Sequence, residues 1–212
     1  MRWVSVAAIA CGVVIAPATA GAASRCTGSK DSVTAVANAQ VRVYRTARHS
    51  TFYACSKVTG KVTKLGPPSS SSGLVVVTLS RWRLQGSLVA YARERGFYKE
   101  FPTFLIVVRD VRSGRTLRTV NAAPSDGSNE DPPDEAWRTI GVRDLVLTAD
   151  GRVAWIVTNP LARGVPTQVW KADRAGVGLL DAGPDVGPAS LELSGDVVRW
   201  VRDGVSQTAR LA

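Results

Sequence analysis

The residues able to do chemistry in this chain are few and scattered. Among its 212 residues there is one histidine, His49. A Ser-His-Asp relay would have to run through it. It stands in the basic stretch ARHS with no acid close by in sequence, and reads as a loop residue. There is no G-x-S-x-G elbow, no H-E-x-x-H pair and no glycine-rich strand-to-helix loop for phosphate. The densest set of carboxylates is PSDGSNEDPPDEAW at 124–137, with Asp126, Glu130, Asp131, Asp134 and Glu135 and no base. Oxygen-rich loops of this kind hold calcium when the acids follow the D-x-D-x-D-G spacing. Here they do not, and Pro132 and Pro133 restrict the curl, so a solvated surface loop is expected, with calcium as the alternative. Other acids, Asp110, Asp150, Asp173, Asp196 and Asp203, fall where turns are expected, and turn chemistry explains them. Glycosidase-type carboxylate pairs are spatial and leave no linear trace. No catalytic residue, resident metal or cofactor is therefore expected.

The cysteines point to a compartment. Cys11 lies inside an apolar leader, MRWVSVAAIACGVVIA, which Pro17 interrupts and small residues follow. This is the layout of a secretory signal peptide cleaved after Ala20 or Ala23. The apolar run is too short to span a bilayer. Cys26 and Cys55 remain, and an even pair in an exported chain reads as one disulfide. Export to the extracellular space or the outer side of the cell envelope is the expectation. The formal charge is +10, or +9 without Arg2. It is spread along the chain, as expected for solvent-facing positions of alternating strands. Nucleic acid is accordingly not an expected partner, although arginines gathering on one surface, for instance Arg42, Arg45, Arg48, Arg81 and Arg83, would favour a polyanion.

The elements that would position any site are strands. LVLTADGRVAWIV at 145–157 is a hairpin in sequence: two strand-like runs joined by Asp150-Gly151. Further strand signals fall at 41–45, 51–56, 61–66, 74–84, 87–96, 103–111, 115–120, 167–173, 177–183, 189–195, 196–204 and 205–212. Turns are expected at Gly60, Gly86, Gly114, Gly176, Gly195 and Gly204. FLIVV at 104–108 suggests a strand buried on both faces. Nowhere does a convincing 3.6-residue period run for ten residues. The chain is read as all-β.

The strands recur as a repeat. STFYACSKVTGKVTKLG, SLVAYARERG with TFLIVVRDVRSGRTLRTV, RVAWIVTN with TQVWKADRAGVGLLDAG, and DVVRWVRDGVSQTARLA align on the aromatics Tyr53, Tyr91, Trp155 and Trp200. These are 38, 64 and 45 residues apart. All four aromatics are expected in the core. Periods near 40–50 residues with three or four strands each are typical of propeller blades. LTADGRVAW at 147–155 resembles the strand–turn–strand core of TolB-like, WD40-like and related β-propeller repeats. RDVRSGR and SKVTGK resemble the outer hairpins of such blades. The resemblance implies a small β-propeller-like array of about four antiparallel blades of three or four strands. An open arc of blades and a two-sheet β-sandwich are the alternatives.

The expected organisation is a signal peptide at 1–23, an extended arm at 24–40 tied by the disulfide, and the repeat domain at 41–212. The function expected is binding or scaffolding without catalysis, with loops presented to a protein or an anionic cell-envelope polymer. The loops singled out, because they mix aromatics and charges, carry Arg93, Arg95, Phe97, Tyr98, Asp126, Glu130, Asp131 and Trp137. A secreted carboxylate-dependent hydrolase or lyase on the same scaffold is the alternative from another class.

Overall fold

A computed structural model describes residues 26, 31–46, 49–66, 75–97, 100–123, 141–158 and 167–212, with backbone alone at 49–50, 75–76, 97 and 100–102. The described chain has no helix and forms four antiparallel sheets in chain order. The first holds β1 (Ser32–Ala37), β2 (Val41–Thr46), β3 (His49–Ser56) and β4 (Val62–Lys64). The second holds β5 (Val75–Gln85), β6 (Leu88–Phe97), β7 (Glu100–Asp110) and β8 (Arg115–Asn121). β9 (Gly141–Leu147), β10 (Val153–Thr158), β11 (Thr167–Asp173) and β12 (Gly176–Ala182) make the third, and β13 (Glu192–Ser194), β14 (Val197–Arg202) and β15 (Val205–Arg210) the fourth. Within each sheet neighbours in sequence are neighbours in space, the simplest up-and-down meander.

Three cores separate the sheets. Val41, Val43, Ala54 and Leu65 pack against Leu79, Val89, Tyr91 and Val107 between the first two. Phe104, Ile106 and Val108 meet Leu145, Val153 and Trp155 between the second and third. Ala154, Ile156 and Val169 meet Val198, Trp200 and Leu211 between the third and fourth. Successive strand residues point to opposite faces. β10 therefore sends Val153, Trp155 and Val157 one way and Ala154 and Ile156 the other, and every one is fully buried. The same logic buries Phe104, Ile106, Val107 and Val108 of β7, as the apolar run suggests. No cluster among the described residues joins the first sheet to the fourth. Four sheets with three seams exclude the two-sheet sandwich.

Each seam carries one stitch of the same kind. An aromatic on the second strand donates a hydrogen bond to the end of the preceding sheet's last strand. Tyr91 Oη reaches Leu65 O at 2.8 Å, Trp155 Nε1 reaches Ala122 O at 2.8 Å, and Trp200 Nε1 reaches Asp181 Oδ2 at 2.7 Å. Burial of an aromatic with its polar atom paired secures both area and direction.

Two expectations change in the first sheet. Within the segment 24–40, expected as an extended arm, residues 32–37 are β1, paired with β2 through a bulge between Thr34 and Val36. Its pattern is faint because most of its side chains stay exposed. Consequently the aromatic in register with Tyr91, Trp155 and Trp200 is Tyr44 on β2, 47 residues before Tyr91. Tyr53, on the third strand, is half-buried and lies outside the seam cores. Tyr44 and Tyr53 stack at 5.8 Å on the face turned away from the second sheet. There the Cys26–Cys55 disulfide, with Cα atoms 5.6 Å apart, packs on them. Arg42 fastens this face. It donates to Cys26 O at 2.8 Å, to Ser32 Oγ at 3.0 Å and to Thr34 Oγ1 at 2.8 Å, and it lies 5.0 Å from the Tyr44 ring. His49 is the first residue of β3, paired with Thr46, rather than a loop residue.

Candidate binding site

Antiparallel order gives the array two unlike ends. The links from first to second and from third to fourth strands lie at one end, and these are tight turns such as those at Gly114 (φ 78°) and Gly151 (φ 88°). The links from second to third strands, and all links between sheets, leave from the other end. The tight-turn end is stitched shut. Asn38 Nδ2 donates to Gly86 O at 3.0 Å, Lys61 Nζ to Ser113 O, Arg174 Nη2 to Asp150 at 3.4 Å, and Arg152 Nη1 to Leu211 O. Three of these bonds bridge neighbouring sheets and Arg174–Asp150 joins two turns of the third, which leaves little surface to rearrange around a ligand. The loop end is where a site can be built.

Both regions singled out from the sequence leave from that loop end. Arg93, Arg95 and Phe97 sit on β6, paired with Leu105, Thr103 and Glu100 of β7. They are strand residues, not loop residues, because β6 runs on to Phe97 before its link to β7. Arg93 is half-buried on the face of β6 that carries Tyr91, and Arg95 is exposed. Tyr98, Asp126, Glu130, Asp131 and Trp137 lie outside the described residues, as does the whole 124–137 segment and with it the calcium alternative.

Five described carboxylates are engaged by the fold: Asp110, Asp144, Asp150, Asp173 and Asp181. Asp144 on β9 has a side chain only 10 % exposed and receives Arg83 of β5 at 2.8 Å, its own Leu145 amide at 2.9 Å and the Leu191 amide leading into β13 at 3.1 Å. One carboxylate thus ties the inner strands of three sheets. A bulge in β5 between Ser80 and Arg83, with Arg81 at φ 55°, lets Arg81 donate to Val142 O at 3.0 Å beside it. Asp173, buried, accepts from Lys171 at 2.6 Å and from the amides of Ala175 and Ala212, both at 2.9 Å. Burial pushes its carboxyl up, but these donors outweigh it and hold the pKa below the usual value. Asp110 behaves alike: burial opposes, while Ser113, Ser87 and the turn amides prevail. At Asp150 the Thr148 hydroxyl and then Arg152 bring the pKa down to about 2. Among the described residues no group of three or more His, Cys, Asp or Glu is placed to hold a metal ion.

Of the described arginines singled out for a polyanion site, three are engaged by the fold. Arg42 serves the outer face of the first sheet, while Arg81 and Arg83 serve the seam between the second and third. Arg48 lies outside the described residues.

What the sequence left unseen is a cleft of about 630 Å³ at the loop end of the last seam. Leu180 and Asp181 of β12 form one wall, Trp200 and Arg202 of β14 the back, and Val205 and Ala209 of β15 the floor. Asp181 is locked in place by Trp200 Nε1 and by Arg202 Nη1 at 2.6 Å. Burial opposes its ionisation, yet the Trp200, Ala182 and Arg202 donors hold its pKa below the usual range. The cleft therefore sets Val205 and Ala209 beside the polar Gln207 and Thr208, under the Asp181–Arg202 ion pair. The alternation of β14 and β15 could have revealed the floor residues, but not the open space over them. No known family model and no curated protein matches this chain.

Proposed function

We propose that this chain is an exported, non-enzymatic binding module whose loop end meets a protein partner. The observation that carries the reading is the use of the described buried and turn carboxylates: Asp110, Asp144, Asp150, Asp173 and Asp181 all serve as structural acceptors between or within sheets. An enzyme built on carboxylates needs at least one free to take or give a proton near neutral pH. Depressed pKa values in Asp110, Asp150, Asp173 and Asp181 run the other way, and Glu94 is the one described carboxylate whose pKa is raised, by burial. The bridged cysteines fit an oxidising compartment, which supports export. The four sheets in chain order, with an aromatic on each second strand, support a propeller-like blade array related to the TolB-like and WD40-like repeats.

Site-specific photo-crosslinking tests the proposal. Photoreactive residues would replace Arg95 and Asn121 at the loop end, and Arg112 and Arg115 at the tight-turn end. Applied to the secreted protein in its own envelope or culture fluid, the first pair should yield discrete protein adducts and the second pair none. Adducts from the tight-turn end alone would refute the reading. So would turnover of a glycan or ester substrate by the pure protein that vanishes on a single Asp→Asn or Glu→Gln change.

A further inference from the structure

Charge is unevenly distributed along the sequence. Between Asp31 and Glu94 there is no acid, while nine residues are Lys or Arg. That stretch supplies all of the first sheet and the second as far as Arg93 on β6. The acids that follow turn away: Glu94 pairs with Phe104 and Asp110 with Leu88, both in the core between the second and third sheets. No described carboxylate faces the seam between the first and second sheets. Cations do. Arg93 pairs with Leu105 and Arg109 with Val89, and both partners pack in that seam. Tyr91 stands between the two arginines on the same face. Burial raises its pKa, while the Arg109 and then the Arg93 guanidinium pull against that rise. Arg109 Nη1 donates to Lys64 O at 2.7 Å, whereas Arg93 makes no ion pair among the described residues. The Nε atoms of both are buried without an acceptor, as is the hydroxyl of Thr63, whose register partner Ala54 also belongs to this seam. Four such buried polar atoms occur among the described side chains, and this seam holds three of them. Unpaired buried donors are costly and call for an acceptor.

The last seam shows what completes this arrangement. Trp200 holds the position of Tyr91, and Arg202 that of Arg93, two residues further along the same face. There Asp181, near the end of the preceding sheet, accepts from Trp200 Nε1 at 2.7 Å and from Arg202 Nη1 at 2.6 Å. In the first seam the preceding sheet offers only the Leu65 carbonyl, which takes the Tyr91 hydroxyl and leaves Arg93 unmatched. The middle seam carries Val157 at this position and needs no acid.

From this we infer that the first seam is a carboxylate-binding site: an acidic side chain of the partner protein enters from the loop end and takes the place beside Arg93 that Asp181 takes beside Arg202. A planar carboxylate matches the guanidinium fork. Arg109 adds a second positive charge on the same face. The acid-free first sheet attracts an incoming acid from further away and sets no like charge against it. This rests on the binding-module reading and names the chemistry of the partner's contact.

The test uses the full chain with its disulfide intact and a synthetic peptide, Gly-Ser-Glu-Glu-Ser-Gly, blocked at both termini. The same peptide with Gln for Glu is the control, and inorganic phosphate is a second probe. The Nε–H resonances of Arg93 and Arg109 in nitrogen-15 spectra read the site directly. They should move with the Glu peptide, less so as salt is added, and stay in place with the Gln peptide. Arg93→Met should weaken peptide binding about thirtyfold, the low end for losing one partner of a desolvated charge pair. Its melting temperature should hold or rise, because a buried orphan donor is removed and no described partner is lost. Arg152→Met removes the same charge from the tight-turn end, where Asp150 holds it at 2.9 Å, and should leave peptide binding unchanged. Unchanged affinity in R93M overturns the inference, and so does an equal loss in R152M, which would reduce the effect to net charge. A clear fall of the R93M melting temperature also overturns it, by making Arg93 a structural residue. Movement with the Gln peptide, with phosphate alone, or with no probe at all does the same. Arg95 crosslinks that persist at full yield in R93M overturn this site alone and leave the binding module standing.

Discussion

Asp144 concentrates more of the fold's connectivity than any other described side chain, because its two oxygens serve three sheets. Removing one partner from a buried ionic network leaves the others desolvated and unmet, which costs more than the pair contributes. Asp144→Ala should lower unfolding free energy by about 3 kcal/mol, since Arg83 and the Leu191 amide lose their acceptor. Asp144→Asn keeps one acceptor oxygen and should cost roughly half as much. Urea unfolding of the two variants measures both. Near-equal stability of wild type and D144A would show that water replaces the carboxylate at no cost. The Tyr91, Trp155 and Trp200 stitches act on the same scale, yet each joins only two sheets.

Among the elements, β1 depends most on something other than its own sequence. Its side chains are mostly exposed, and its outer neighbours are the disulfide, Arg42 and the stacked Tyr44 and Tyr53. Tyr44 occupies the stitch position of its sheet, and among the described residues it packs on the disulfide-tied Cys26. Closing a loop over a sequence separation of 29 is worth about 3–4 kcal/mol in the chain-entropy picture. The double variant Cys26→Ser, Cys55→Ser should lose about 3 kcal/mol on that basis. Its hydrogen exchange should quicken first in β1 and β2 and least in β10. Uniform acceleration would mean that the bridge acts only through the unfolded chain. The legibility of each element follows the same physics. Glycine turns and doubly buried strands announce themselves through φ > 0 chemistry and apolar runs, and β5 to β15 were readable at that level. β1 was not, because exposure leaves no period, and missing it shifted the repeat onto Tyr53 instead of Tyr44. Asp144 looked like any strand carboxylate, since its partners Arg83 and Leu191 are far away in sequence. The cleft depends on how β12 sits against β14 and β15, which no local pattern encodes.

At the scale of the whole molecule, titration sets the window in which the four sheets stay joined. Asp110, Asp150, Asp173 and Asp181 all have folded pKa values below their ordinary ones. Between the folded and unfolded values the unfolded chain binds more protons, so stability is present above about pH 4 and falls as pH drops further. The decline should run towards the Asp150 value of about 2. Asp150 is partly exposed, so its share is reduced by solvent, while the buried Asp173 contributes more. Glu94 opposes weakly: burial raises its pKa, so its contribution is lost as pH rises through the folded value. At the alkaline side burial raises Tyr91 and Tyr44 above 10.0, so the folded chain keeps protons that the unfolded chain releases. That stabilises at lower pH and is lost as pH climbs beyond about 10. Melting temperature scanned across pH should therefore show a plateau from about 5 to 9 with a fall on both sides. Asp173→Asn should flatten the acid limb and leave the alkaline limb unchanged, whereas Tyr91→Phe should lessen the alkaline fall alone. An acid limb that survives D173N in full would assign the loss to general charge repulsion of this basic chain rather than to the carboxylates that tie its sheets.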